Sequence, residues 1–488
     1  MPELVTVRTP RGGVRGSRER GSLVFRGIPY ATAHRFAPPQ AASWDGATDA
    51  LADGAAAPQP DRPAARFTHG PLPPTSERRC LNLNVFTPSL DGCRPVMVWI
   101  HGGGFAIGSA GASIYDGARL AVAADAVVVA LNYRLGSLGW LYHPDLASGP
   151  GTPAGNWGLL DQIEALRWVS DTIAAFGGDP DRVTVAGQSA GALTALGMLS
   201  APDAAGLFHR VIAQSPPLSD AAAPGEASMR WADAVSHAIA GGTAFDPDAL
   251  RSAPVADVLA AHEALLARPE FRGTRGAIPT VDPGTLPRSI AEHPELTPGT
   301  PVMIGFTGQE GTFFFGSPWR PAPPPERVPG VVAHLVPDRD PADVLDEYAR
   351  AVAERHRPAL DATTLLVGIA TDAMFTRPVS EWAHARAQRA TAGVHLYRVD
   401  HPGAGPVLGA THTVDVPLLF GTWDDGEAGE RLGGQAAGAE DVTVKMVAAW
   451  RGFLHTGEPG WDPVDPGAKS SPFVFGTGDG VTLTSAVT

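Results

Sequence analysis

Six short apolar runs, too brief for helices and too continuous for half-exposed strands, constrain this chain more than any other feature. They are residues 95–100 (PVMVWI), 126–132 (AVVVALN), 182–187 (RVTVAG), 210–215 (RVIAQS), 301–306 (PVMIGF) and 394–399 (VHLYRV). A strand with one wet face alternates apolar and polar residues. An unbroken run fits a strand covered on both faces, as in a parallel sheet flanked by helices. Residues 158–176 have helical spacing instead, with Leu159, Ile163, Leu166, Val169 and Ile173 on one stripe, and GGDPD (177–181) ends them. Strands alternating with helical segments imply an α/β architecture around a mostly parallel sheet. Residues 52–75 and 315–330 are Pro-rich, and 422–441 are rich in Gly, Ala and acids, so all three read as loops. None demands a separate domain. The expectation is a single domain over 1–488 with large loop insertions over the C-terminal edge of the strands and residues 1–21 as an N-terminal β extension.

Charge and composition exclude several function classes. A net charge of −14 with no basic cluster disfavours a nucleic-acid partner. There is no apolar run of signal length near the N-terminus and none of 18 residues anywhere, so the expectation is a cytoplasmic protein with no membrane partner. Cys80 and Cys93 are too few for a disulfide scaffold and lie outside metal-ligand spacing, so two free thiols, no metal and no cofactor are expected. Oligomeric state leaves no trace in the sequence.

Residues 187–191 read Gly-Gln-Ser-Ala-Gly. With 57 glycines in 488 residues, a chance G-x-S-x-G is expected roughly 0.3 times per chain, so the pattern alone decides nothing. Its place does. VTVA supplies a strand before Ser189 and AGALTALGML starts a helix after it. So sharp a turn strains the serine backbone and needs small neighbours two residues away on each side. The helix N-terminus also leaves free N–H groups beside the serine oxygen. A second element, His101-Gly102-Gly103-Gly104, follows the strand at 95–100. Acyl transfer needs N–H donors aimed at a developing oxyanion, and consecutive glycines let the backbone turn them inward. Neither a Walker-type Gly-Lys-Ser/Thr nor a G-x-G-x-x-G accompanies these glycines.

The order SLVFRGIPYA (22–31), RFAPP (35–39), CLNLNVFTP (80–88), VWIHGGGF (98–105), NYRLGSLGWL (132–141), GNWGLLDQIEALRWVSDTIAAFGGDPDRVTVAGQSAGA (155–192) and WRGFLHTGEP (450–459) resembles the type B carboxylesterases. These are α/β-hydrolase-fold enzymes that include the cholinesterases and the bacterial para-nitrobenzyl-esterase-like members. The resemblance runs from about residue 22 to 463. It implies Ser189 as nucleophile, N–H groups of Gly103, Gly104 and Ala190 as oxyanion hole, and then an acid and a histidine in that chain order. Glu310, in VMIGFTGQEGTFFF (302–315), and His412, in GATHTVDVPLLFG (409–421), take those places. Asp415 is a rival acid that fits better as a support of the histidine loop, and Asp282 is a weaker rival. Ser215 aligns with a buried supporting serine, although Pro216 follows it where relatives have Gly. The implied substrates are a small-molecule ester and water. An amidase, thioesterase or lactonase would use the same site, and a non-catalytic binding homologue would lack one of the three residues.

Departures from the family carry the substrate reading. Gln188 stands where relatives have Glu, and residues 55–79 lack the Trp of the choline site, so an uncharged ester is expected. Arg78 replaces the usual Glu before Cys80, which leaves Arg35 to pair with Glu77 or with nothing. Phe313 and Phe314 keep the family's acyl-side aromatics, but RGTRGA (272–277) is not aromatic and offers Arg275 there instead.

Overall fold

The computed structural model describes residues 3–220, 222–268, 271, 276–354, 361–468 and 470–476. Its centre is a twelve-stranded sheet. In chain order the strands are β1 (Leu4–Thr9), β2 (Gly12–Glu19), β3 (Ser22–Pro29), β4 (Ala47–Asp49), β5 (Asn82–Thr87) and β6 (Arg94–Ile100). They continue as β7 (Val127–Leu131), β8 (Gly178–Gln188), β9 (Arg210–Gln214), β10 (Val302–Thr307), β11 (Val394–Val399) and β12 (Phe473–Phe475). The spatial order is β1-β2-β3-β5-β7-β6-β8-β9-β10-β11-β12, with β4 beside β2. Along this path every pairing from β1 to β7 is antiparallel and every pairing from β7 to β12 is parallel.

The unbroken apolar runs are explained by what lies on each face. Val96, Val98 and Ile100 of β6 join one core while Met97 and Trp99 join another. Val127, Val129 and Leu131 of β7 likewise face the first core, and Val128 and Ala130 the second. The period is still two residues, but both faces are dry. Helix Trp157–Thr172 covers the first face and helix Ala439–Thr456, through Met446, Trp450, Phe453 and Leu454, the second. A third, smaller core joins helices Val328–Leu335, Pro341–Glu354 and Ala362–Thr371.

The sequence reading needs correction at several places. The run at 182–187 starts earlier, at Gly178, with an irregularity in its pairing to β6 before Val183. The helix at 158–176 is α-helical only to Thr172. It tightens to a 3₁₀ turn over Ile173–Phe176 and stops at Gly177 with φ 77°. Each segment read as loop contains helix: Pro63–His69, the start of Val328–Leu335, and Gly426–Leu432 with the start of Ala439–Thr456. The first two begin on proline at the opening positions, where its missing N–H costs nothing. Strand β1 alternates exposed with more buried residues, and exposed arginines stand on both β1 and β2, as befits an antiparallel edge with a wet face.

This topology fixes where a site can form. The chain leaves β6 toward β7 on one side, then crosses back to β8 on the other. At such a switch point, connections diverge from the C-terminal ends of adjacent strands and leave a crevice between them. The glycine loop follows β6, and Ser189 follows β8.

Candidate active site

Ser189 sits between the end of β8 and helix Ala190–Gly197 with φ 55° and ψ −122°, a conformation that costs about 1–3 kcal/mol for a residue with a side chain. The flanking glycines are required by contact. A Cβ on Gly187 would lie 2.5 Å from the carbonyl carbon of Gly191, and one on Gly191 would lie 2.1 Å from the carbonyl oxygen of Ile100. The Ser189 N–H is tied to the next strand, donating to the Gln214 carbonyl at 2.8 Å.

Across the crevice, Gly103 has φ 120°, and a Cβ there would lie 2.0 Å from the Ile107 carbonyl oxygen. Gly104 has φ 60°, but a Cβ there would meet nothing within 4 Å. Among the described residues, the N–H groups of Gly103, Gly104 and Ala190 have no protein acceptor. His101 holds this loop from beneath. Its Nδ1 donates to the Gly102 carbonyl at 2.8 Å, and its ring stacks on Tyr133 at 4.5 Å, whose hydroxyl donates to the His101 carbonyl at 2.9 Å. Behind it, the Tyr115 hydroxyl faces His69 Nε2 at 3.3 Å, and Thr68 Oγ1 accepts from His69 Nδ1 at 2.7 Å. Burial pushes His69 down to about 3 and His101 down to about 4, so both rings are neutral at neutral pH.

Glu310 follows β10 and His412 follows β11. Glu310 Oε2 accepts from His412 Nδ1 at 2.5 Å, with both side chains buried. The other carboxylate oxygen accepts from the Thr307 N–H at 2.7 Å and the Ser215 hydroxyl at 2.6 Å. On the far side of the imidazole, the Gln188 amide donates to Nε2 at 3.1 Å. Ser189 Oγ makes no hydrogen bond to His412 among the described residues.

Asp415, read as the support of the histidine loop, has no hydrogen bond to His412. It opens helix Asp415–Phe420, and its Oδ2 accepts from the Gln214 side-chain amide at 2.6 Å. Burial pushes its carboxyl up to about 6. Asp282 accepts from the Thr285 N–H and hydroxyl and so closes a turn. Arg35 grips Glu77 with two parallel hydrogen bonds, at 2.6 and 2.7 Å. Cys80 is buried and Cys93 exposed, and both thiols are free. Arg275 lies outside the described residues. None of the described helices is long and apolar enough to cross a membrane, and no cluster of three or more potential metal-ligating side chains occurs among those residues.

Phe313 and Phe314 are half-buried, with ring centroids 5.5 and 5.3 Å from His412. The sequence reading missed a third ring, Phe375, at 5.1 Å. It stands on a five-residue π-helical turn, Asp372–Thr376, between two α-helices. Such turns are uncommon and concentrate at functional sites, but no residue pattern announces them. Trp319 and Phe67, which extend the same group of rings outward, were likewise hidden in segments read as loops.

A mostly parallel sheet with these residues gathered beyond its strand ends defines an α/β-hydrolase. Chains of that fold match closely in space: the *Geobacillus stearothermophilus* carboxylesterase has a TM-score of 0.78 at 32% identity, with 96% of each chain covered. The chain belongs to the carboxylesterase family, whose model matches residues 3–469, and is a carboxylic ester hydrolase. It is 35% identical to the para-nitrobenzyl esterase of *Bacillus subtilis* over 94% of this chain and 91% of that one. It is 34% identical to the phenmedipham hydrolase of *Pseudarthrobacter oxydans* over 96% and 94%.

Proposed function

We propose that this ester hydrolase works on uncharged carboxylic esters through an acyl-enzyme, with Ser189 as nucleophile, His412 as general base and then acid, and Glu310 as the group that orients the imidazole. The observation that carries the reading is the short Glu310–His412 contact on Nδ1, which leaves Nε2 as the acceptor facing the Ser189 turn. His412 Nε2 exchanges its Gln188 partner for Ser189 Oγ as the hydroxyl attacks the ester carbonyl. The oxyanion is received by the N–H groups of Gly103, Gly104 and Ala190. The protonated imidazole then gives its proton to the leaving alcohol. Water repeats the sequence on the acyl-enzyme, regenerating Ser189 and releasing the acid.

Neutral esters fit because, apart from the Glu310 carboxylate bound on Nδ1 and the buried Asp415, the groups around the imidazole are the rings of Phe313, Phe314 and Phe375 and the uncharged Gln188 amide on Nε2. A cationic ester finds no carboxylate beside the nucleophile at position 188. Two of the relatives are named for substrates that carry an aromatic ring, a para-nitrobenzyl ester and phenmedipham, which agrees with an apolar, ring-lined site. The test is Ser189→Ala. Turnover of p-nitrophenyl esters falls by about 10⁴-fold or more with an unchanged circular-dichroism spectrum. A variant that keeps a tenth of the wild-type rate refutes Ser189 as nucleophile.

A further inference from the structure

Glu310 stands close to the end of β10, but His412 lies far along the chain from the end of β11, where sheet register no longer fixes its place. Hydrogen bonds on either side of Glu310 fix it instead. Gln309 holds both polar main-chain groups of Ala410. Its N–H donates to the Ala410 carbonyl at 2.9 Å, and its side-chain Oε1 accepts from the Ala410 N–H at 2.9 Å. The amide oxygen thus stands in for the carbonyl of a neighbouring strand. The histidine loop passes so close to it that a Cβ on Gly409, at φ 58°, would lie 1.7 Å from Gln309 Oε1.

On the other side of Glu310, Thr312 Oγ1 lies 2.7 Å from the Gln309 carbonyl oxygen, 2.8 Å from the Leu408 carbonyl oxygen and 2.9 Å from Thr411 Oγ1. A hydroxyl has one proton and two lone pairs, so it serves these oxygens in turn, with the Thr411 hydroxyl supplying a proton of its own. Thr312, Leu408, Ala410 and Thr411 are all buried, so bulk water does not replace a partner that is lost. Immediately past His412, Thr413 holds φ 80°, a left-handed backbone that a residue with a side chain keeps only where its surroundings impose it.

We propose that Gln309 and Thr312 are positioning residues, a clasp that ties residues 408–411 to the Glu310 turn and so sets the reach of His412 toward Ser189. The proposal rests on the reading of His412 as general base. The clasp acts through the imidazole, whose displacement by about 1 Å costs on the order of 10²-fold in rate.

The experiment uses Gln309→Leu, which removes the acceptor for the Ala410 N–H, and Thr312→Val, which removes the shared hydroxyl at nearly constant volume. Thr312→Ser keeps the hydroxyl and serves as the rescue. Rates are taken per titrated active site, so an unfolded fraction does not count. In both disrupting variants kcat for p-nitrophenyl butyrate falls roughly tenfold to 10²-fold. Acylation and deacylation both use the imidazole, so both slow together and KM stays within about threefold of wild type. The downfield NMR resonance of the His412 Nδ1 proton, assigned by its loss in His412→Gln, moves upfield as the bond to Glu310 lengthens. Thr312→Ser restores most of the rate and the resonance. Wild-type kcat in either disrupting variant overturns the proposal. So does a lowered kcat with the resonance unmoved, or a Thr312→Ser variant as slow as Thr312→Val. Gln309 is half-buried, so Gln309→Leu decides the matter even where Thr312→Val fails to fold. The general-base reading fails separately: His412→Gln that keeps a tenth of the wild-type turnover refutes it, whatever the clasp variants show.

Discussion

At Gly187 and Gly191 a single added carbon would meet main-chain atoms at 2.5 and 2.1 Å, while around Trp319 half-buried rings meet one another at 4.3 and 5.1 Å. The first region is shaped by backbone packed against backbone, with no room for side chains. The second is shaped by side chains alone, on segments that sequence patterning reads as loops. Main-chain collisions cannot be relieved by a rotamer change, so the centre has one workable geometry. Ring contacts have a broad, shallow optimum, so the rim can re-pack around different ligands at small cost. Rate should therefore depend on the centre and selectivity on the rim.

The sharpest way to break this comparison lies inside the glycine loop. Gly103→Ala forces a Cβ into the Ile107 carbonyl and displaces an N–H donor, and kcat falls by about 10²- to 10³-fold. Gly104→Ala has open space and bears only the left-handed backbone cost of about 1–2 kcal/mol, for a loss of roughly tenfold or less. Rates normalised by active-site titration check both, and equal losses would show that the backbone collision does not govern this loop.

Next in size is Gln188→Glu. The groups facing the imidazole are Glu310 on Nδ1, the amide at position 188 on Nε2, the nearby Asp415 carboxyl and three apolar rings. A carboxylate at 188 favours the imidazolium, so the acid limb of kcat/KM moves to higher pH. At pH 6 the variant then retains roughly three- to tenfold less of its pH 8 rate than wild type does. Choline esters gain relative to neutral esters of equal size. A pH–rate series on both substrate types reads the two effects together.

Acid stability gives a smaller effect, centred on two histidines behind the glycine loop that follows β6. His69 and His101 stay neutral in the folded protein down to about 3 and 4, while in the unfolded chain they take up protons near 6.5. The unfolded state thus binds more protons in that window, and these two groups make stability fall as pH drops from about 6.5 toward 4. Asp415 works with the opposite sign. Its folded value of about 6 lies above the usual 3.8, so its contribution falls as pH rises through that interval. Urea midpoints at pH 7 and pH 5 should show His69→Gln flattening the acid loss and Asp415→Asn steepening it.

The smallest effect belongs to the rim. Trp319→Leu lowers Tm by only about 1–2 °C, since a half-exposed ring is replaced by an apolar side chain and no buried polar group is orphaned. A drop several times larger would mean that this ring is part of the fold's foundation.

Much of the centre was legible because it is written in short stretches. The Ser189 turn depends on residues 187–191, and the strand before it had to be a dry apolar run. Ser215 could be named only through its alignment with a buried supporting serine of the family, and the Arg35–Glu77 pair was one of two outcomes left open once Arg78 stood in place of the usual Glu. The rim was illegible for a physical reason. Phe67, Trp319 and Phe375 come from three segments whose only common property is where the fold puts them, and one stands on a π-helical turn without a sequence signature. The Gln188 amide on His412 Nε2 was hidden for the same cause: residue type was readable at position 188, but its partner was not.

At the end of β9, the Gln214 carbonyl anchors the Ser189 N–H, the Gln214 side chain grips Asp415 three residues beyond His412, and the Ser215 hydroxyl holds Glu310. Two consecutive residues are thus a common mount for the segments that carry Ser189, Glu310 and His412. When thermal motion shifts this strand end, the segments move together, and the displacement cancels from the distances between them. The instrument stays in focus because its parts share one bench.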